Sequence, residues 1–422
     1  MSAYENPHLR TPHMDSIAES GIRFQHSYCT SPVCGPARGS LVTGMMPHRL
    51  ETPFNDMPPK RGIRNLGEVF RDAGYRTAWT GKWHAPEPYP ASGGVPGFEY
   101  RELPRSGPFH LGTYADSSVT EQAVQFLRKD HDRPFLLGVA LHNPHDICYW
   151  IMNQHMDLLR GLEEAGRKPP LPPNTAPPDI EPEFIQWCRR RNHYGQENTF
   201  TTGWDEDHWR RYLGVYYAMI EKVDAEVGRL DAALRENDLY DNTLVIFTSD
   251  HGEGMAEHQW VVKLMLYESM CAVPLVMRLP GQIPAGVLDS THLASGLDLL
   301  PTLCDYAGID IPEEVDGVSL RPIIENPDLP GRDVLVCELN PDPERPELEG
   351  RMLRTSRYKY MAFTHGRNPE ALFDLQSDPG ETINLAVDPN AETILQEHRD
   401  ILQCELQASG DRFQPSRSTG IR

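Results

Sequence analysis

Two short apolar runs constrain this chain more than anything else in it: Phe135–Leu141 (FLLGVAL) and Leu244–Ser249 (LVIFTS). Each is too short for a helix, lacks polar alternation and stops at chemically capable residues. His142, Asn143 and His145 follow the first; Asp250, His251 and Gly252 follow the second. Such runs predict strands buried on both faces, as in parallel sheets covered by helices. In open α/β sheets ligands bind beyond the carboxyl ends of the strands, so the two polar clusters are expected to meet. The expected fold class is α/β, with a mainly parallel central sheet flanked by helices.

Between the runs, His208 to Asn237 places Tyr212, Val215, Tyr216, Met219, Ile220, Val223, Val227, Leu230 and Leu234 at helical intervals, which predicts an amphipathic helix laid on the sheet. Leu66–Ala73 predicts a second helix, followed by a strand over Thr77–Thr80. Met152–Gly166 is compatible with a helix. Residues 168–183 (KPPLPPNTAPPDIEPE) are too rich in proline for anything but a loop or polyproline-like excursion. Phe184–Trp204 carries no assignable period, and the stretch from about 150 to 205 reads as a variable insertion. After residue 330 come strand-like pieces at Val334–Leu339, Tyr358–Phe363 and Ala371–Leu375, then a helix over Ala391–Leu406. The expected division is a catalytic domain over 1–330 and a small C-terminal α+β subdomain over 331–422.

Charge narrows the partners. With 40 basic residues against 61 acidic ones the net charge is −21, which excludes a nucleic-acid surface. An anionic substrate would need a local cluster of cations. No run of about eighteen apolar residues exists to span a membrane. The start, MSAYENPHLRTPHMD, has no apolar leader segment, and compartment and oligomeric state are not readable. The eight cysteines lack C-x-x-C spacing, so a zinc ribbon is not expected; they fit one or two bridges or buried reduced thiols.

The chemistry concentrates in Cys34-Gly35-Pro36-Ala37-Arg38-Gly39-Ser40-Leu41-Val42-Thr43-Gly44. A thiol at a helix N-terminus with an arginine four residues later has a depressed pKa and can hold an anion. The stretch resembles the sulfatase signature C-x-P-x-R, in which the cysteine is oxidised to formylglycine after translation. Gly74 to His84, ending in Gly81-Lys82-Trp83-His84, resembles the family's second signature. Thr248 to Gly252, Ala256-Glu257-His258, Lys263, Asp298 to Thr302, Asp316 to Leu320 and Asp378 to Glu381 follow the family's order, so the likeness runs nearly to the end.

The resemblance implies an alkaline-phosphatase-like sandwich and hydrolysis of sulfate esters. It makes Cys34 the source of an aldehyde whose hydrate attacks sulfur and then expels sulfate. It makes Arg38 and Lys82 partners of that diol and of the sulfate charge, and His84 the base that drives elimination. His145 and Lys263 would bind a sulfuryl oxygen and assist the leaving group. His142 is either a further contact or structural. Asp250 and His251, with the oxygen made from Cys34, would hold a divalent cation, usually calcium; many members carry Asn where this chain has His251. A formylglycine-generating enzyme is an implied partner. A sulfated carbohydrate or small molecule is the implied substrate, and Tyr149, Trp150, Trp187 and Trp204 are compatible with stacking on sugar rings or, equally, with packing.

One departure stands out. Family members begin with a buried strand ending in Asp-Asp, which supplies two more metal ligands. Here Tyr4-Glu5-Asn6 and Thr11 to Asp15 match the family's next segment, and the expectation is that the strand itself is missing. Two alternatives therefore accompany the sulfatase reading: a phosphonate monoester or phosphodiester hydrolase of the same superfamily, and an inactive remnant that acts as a binding protein.

Overall fold

The computed structural model describes residues 1–85, 94–101, 111–165, 167–191 and 200–416. Eleven strands form three sheets among them. The strands are β1 (Ile22–Tyr28), β2 (Arg76–Gly81), β3 (Glu99–Arg101), β4 (Phe135–Ala140), β5 (Val245–Thr248), β6 (Leu275–Arg278), β7 (Val287–Ser295), β8 (Leu335–Leu339), β9 (Gly350–Arg354), β10 (Tyr358–Phe363) and β11 (Glu370–Asp374). One sheet has the order β3-β2-β4 and is parallel throughout. The second, β5-β6-β1-β7, is mixed: β6 runs antiparallel to both neighbours and β1 parallel to β7.

Helix Glu206–Glu236 begins where Asp205 accepts a hydrogen bond from the His208 N–H, with Glu206 and Asp207 in the first turn favouring the helix dipole. It buries Tyr212, Val215, Met219, Val223, Val227 and Leu234, each contributing about 1.5–3 kcal/mol where the side chain is a large hydrophobe. It packs on helix Gly112–Leu127, which in turn covers β2 and β4. Helix Leu66–Asp72 starts with a capping box between Asn65 and Glu68.

The two diagnostic runs do form strands, but not doubly buried ones. Every residue of β4 and β5 is only half-buried. Each is the edge strand of its sheet, and both line one cavity of about 1220 Å³. Among the described residues no strand lies between them, and Leu137, Val139, Val245 and Phe247 line the cavity. Tyr216, Ile220 and Leu230 of the long helix line the same cavity and are likewise half-buried.

The antiparallel sheet β11-β10-β9-β8 alternates with period two. Leu353, Tyr360, Ala362 and Leu372 meet Leu395, Leu402 and Leu406 of helix Glu392–Ser409 on one face. Met352, Met361, Phe363 and Phe373 meet Tyr267 and Met270 on the other. The stretch without a readable period contains helix Glu183–Arg190, whose Phe184, Ile185 and Cys188 dock in that second core. Residues 192–199 of it lie outside the described residues.

Candidate active site

Helix Cys34–Thr43 is buried on nearly every side because its residues are small. It ends at Gly44, whose φ of 68° is left-handed and where an added Cβ would meet the Val315 side chain at 2.7 Å. Its first residue is Cys34, 1 % exposed. Lys263 Nζ lies 2.9 Å from Cys34 Sγ, His251 Nε2 3.1 Å and Lys82 Nζ 3.6 Å. Burial alone would push the Cys34 thiol up; Lys263, Lys82 and His251 outweigh it and hold it well below the ordinary thiol range.

Arg38, one turn along, donates from Nε to Asp250 Oδ2 at 2.7 Å and from Nη1 to the Lys82 carbonyl at 3.0 Å. Asp250 stays ionised: burial would raise it, but Arg38 and His251 hold it far below the usual carboxylate range. Lys82 follows β2 where Gly81, at φ +88°, brings the backbone so near Ala140 that a Cβ would sit 2.1 Å from its carbonyl oxygen. Burial, then Arg38 and Lys263, lower Lys82 despite Cys34 and Asp250. Lys263 goes the other way, because Cys34 and Cys148 more than offset its burial. His251 Nδ1 lies 2.7 Å from the Gly252 carbonyl and donates to it, which leaves Nε2 facing Cys34.

The clusters at the ends of the two apolar runs do meet: His142, His145, Asp250 and His251 line the same cavity as Cys34 and Lys263. His142 and His145 are both held neutral by burial and by Lys82 with the other nearby cations. His145 Nδ1 is buried without a hydrogen-bond partner, and the ring stands 6.1 Å from that of Tyr149. His84 is buried, with Nε2 3.2 Å from Asp56 Oδ1 and Nδ1 unpartnered; it makes no hydrogen bond to Cys34. Of the two readings open for the aromatic residues near the variable stretch, packing holds for Trp150 and Trp204. Trp150 is 6 % exposed, and Trp204 lies ring-to-ring with Trp150 at 5.8 Å and with Trp209 at 4.9 Å.

Sequence reasoning missed the acids behind these groups. Glu253 accepts from the Tyr212 hydroxyl at 2.5 Å and from the Val262 N–H, closing the loop that presents Lys263. Asp116 accepts from the His142 and Asn143 N–H groups at 2.6 and 3.0 Å, and burial pushes it up to about 7. Asp146 caps helix Gly112–Leu127 through Gly112 and Thr113 N–H. Glu253 comes directly after the recognised Asp250-His251-Gly252 and was the one within reach of a pattern.

Ligand atoms of Cys34, Asp250 and His251 lie within 4.8 Å of one another. One carboxylate, one imidazole and one sulfur fall short of the six to eight oxygens calcium takes, and among the described residues no second carboxylate joins them. They fit a divalent ion only as part of a larger set.

Residues 1–309 match the family described as Sulfatase, and residues 256–408 match N-sulphoglucosamine sulphohydrolase, C-terminal. A Delta 4,5-hexuronate-2-O-sulfatase of Bacteroides thetaiotaomicron is 32% identical over 98% of this chain and 87% of its own length. The solved structure of a 2-O GAG sulfatase superposes with a TM-score of 0.82 at 29% identity, covering 97% of this chain and 89% of that one. A phosphonate monoester hydrolase of Agrobacterium radiobacter gives a TM-score of 0.80 at 24% identity over 97% and 93%, a likeness of fold alone.

Proposed function

The chain belongs to the sulfatase family, and from that premise we propose that it hydrolyses the sulfate ester of a sulfated sugar, with an oxidised Cys34 as nucleophile. The observation that carries this reading is the crowding of two buried cations, Lys82 and Lys263, against one buried thiol, with half-buried Arg38 held beside them by Asp250 and the Lys82 carbonyl. Such a site is arranged for an anion and for charge that develops on sulfuryl oxygens.

When present, formylglycine at Cys34 supplies a hydrated aldehyde: one hydroxyl to attack and a second to release the sulfated enzyme. The resident groups do the rest. Lys263, which keeps its proton, neutralises a sulfuryl oxygen and the departing alkoxide. Arg38 orients Asp250 and reaches toward the sulfate, while Lys82 stands as a point charge beside the nucleophile. His145 is neutral in the free site because it is buried and cations surround it; an arriving anion offsets the cations and favours a proton on the ring for the leaving oxygen. His84, steadied by Asp56, is the base for release.

Asp250, His251 and the Cys34 oxygen would hold a divalent cation, calcium by family likeness, which would polarise the sulfate. The remaining carboxylates of such a site would come from a segment seated between β4 and β5, in the cavity that Cys34 and Asp250 also line. The sugar preference rests on the likeness to the hexuronate and GAG sulfatases.

The test is turnover of an unsaturated hexuronate 2-O-sulfate, an aryl sulfate and a phosphonate monoester. It uses the chain as it stands and the chain extended at its N-terminus by an apolar strand ending in Asp-Asp, each with calcium or a chelator. The expected order is sugar sulfate first, with calcium-dependent activity in the extended chain. The Cys34 peptide of active protein should be about 18 daltons lighter than its thiol form. Faster phosphonate turnover would move the chain to the alternative chemistry; an unmodified thiol in fully active enzyme would remove Cys34 as nucleophile.

A further inference from the structure

Away from this site three more cysteines converge where the catalytic region meets the C-terminal sheet. Cys29 follows β1 on the loop leading to Cys34, Cys271 ends helix Glu268–Cys271, and Cys337 sits in the middle of β8. Their sulfurs lie within 4.8 Å of one another, with Cys271 Sγ 3.8 Å from Cys337 Sγ. Their exposures are 3 %, 0 % and 0 %, and none is in a disulfide. The other sulfur contacts are long ones to main-chain carbonyls, Cys29 to Met270 at 3.8 Å and Cys271 to Met265 at 3.7 Å. The enclosing core includes the buried methionines Met265, Met270, Met352 and Met361.

We propose that Cys29, Cys271 and Cys337 form a binding site for one soft monovalent cation, Cu(I), in trigonal sulfur coordination. Metal–sulfur bonds of about 2.2–2.3 Å from a central ion require sulfurs about 3.8–4.0 Å apart. The Cys271–Cys337 pair already has that spacing. Zinc would need a fourth ligand, and among the described residues no other donor joins the trio, whereas soft thiolates without carboxylates or imidazoles select Cu(I).

The surroundings suit the same ion, because the three sulfurs lie in an apolar core where a doubly charged ion would cost more. One thiolate and one monovalent cation are neutral together, which a dry interior favours. Copper enters as Cu(I), any thiol proton it displaces leaves to solvent, and no electron changes hands. Because the sulfurs are sealed from solvent, the ion is acquired as the chain folds, and binding stabilises the joint between the nucleophile loop and β8.

The full chain is produced with and without copper in the medium, purified without oxygen, dialysed against a chelator and analysed for metal and by X-ray absorption. About one copper per chain should be retained, with a sulfur-only shell at about 2.2–2.3 Å, and less than about a tenth of it in Cys29→Ser, Cys271→Ser and Cys337→Ser. Cys34→Ala and Cys188→Ser should retain it fully, which separates the trio from the active-site thiol. Cys29→Ala keeps the test open should the Cys271 or Cys337 variants fail to fold. Absence of retained copper, undiminished copper in the trio variants, or a Cys271–Cys337 disulfide in copper-grown protein overturns the proposal.

Discussion

Two buried charge clusters, one under the C-terminal sheet and one around Cys34, are built on opposite principles. Under the sheet, Lys359 is wholly buried between Glu381 at 2.8 Å and Glu268 at 3.1 Å. Arg351 meets Asp411 through two contacts of 2.6 and 3.1 Å, with Glu338 at 3.9 Å. Arg354 donates to the Tyr28 hydroxyl at 2.7 Å, which in turn donates to Glu268. Lys359 and Arg351 meet acids directly, and Arg354 reaches one through Tyr28. Around Cys34, three cations share one carboxylate, Asp250, and one thiol, and the surplus adds to burial in depressing His142 and His145. A cluster that only holds the fold closes on itself; one that awaits an anion is left open.

The strongest way to break this contrast is to exchange the roles of the two lysines. Lys263→Met should lower kcat/KM by about 10²–10³-fold and cost less stability than Lys359→Met, because it strands one thiol, which can take up a proton, rather than two carboxylates. Lys359→Met should do the reverse. Stranding Glu268 and Glu381 costs about 3–5 kcal/mol, read as a lower denaturation midpoint with kcat/KM of the folded fraction intact. Loss of activity from Lys359→Met without loss of stability would erase the distinction.

A ligand sharpens it. Inorganic sulfate at about 100 times its Kd should stabilise the protein by about 2.7 kcal/mol. The Lys263→Met protein should show little of that shift, and the Lys359→Met protein all of it. The smallest effect concerns His48. Burial opposes its protonation, but Glu338 and Asp411 outweigh burial and raise its pKa. A raised folded pKa gives stability that is complete below the unfolded value of about 6.5 and is lost as pH rises through the folded value. His48→Gln should flatten that decline in urea denaturation measured between weakly acidic and weakly alkaline pH, without altering the pH profile of turnover.

What was legible in the sequence was what short-range pattern encodes. The long helix came within two residues at its start and one at its end, since apolar spacing is local. Cys34, Arg38, Lys82, Asp250, His251 and Lys263 come together as their motifs suggested. Asp116 and Asp146 could not be read, because their partners are backbone N–H groups about thirty residues away, brought near only by the fold. Trp150 and Trp204 stayed undecided for the related reason that an aromatic near an insertion looks the same whether it packs or awaits a sugar. The runs that formed β4 and β5 were read correctly as strands, but apolarity records what a strand is suited to touch and not whether a neighbour stands beside it.

The burial of Cys34 also has a bearing on time. Its sulfur is enclosed by His251 and Lys263, which lie 217 and 229 residues further along the chain. On a ribosome those residues emerge long after Cys34 and Arg38 have left the exit tunnel, and during that interval the thiol sits on an open, unstructured segment. Any enzyme that alters this atom must act within the interval, for afterwards it would have to unfold what it modifies. The pace of synthesis, set against the speed of that enzyme, would then decide what fraction of molecules is born competent, and a faster-translated message would yield more protein but not proportionately more catalyst.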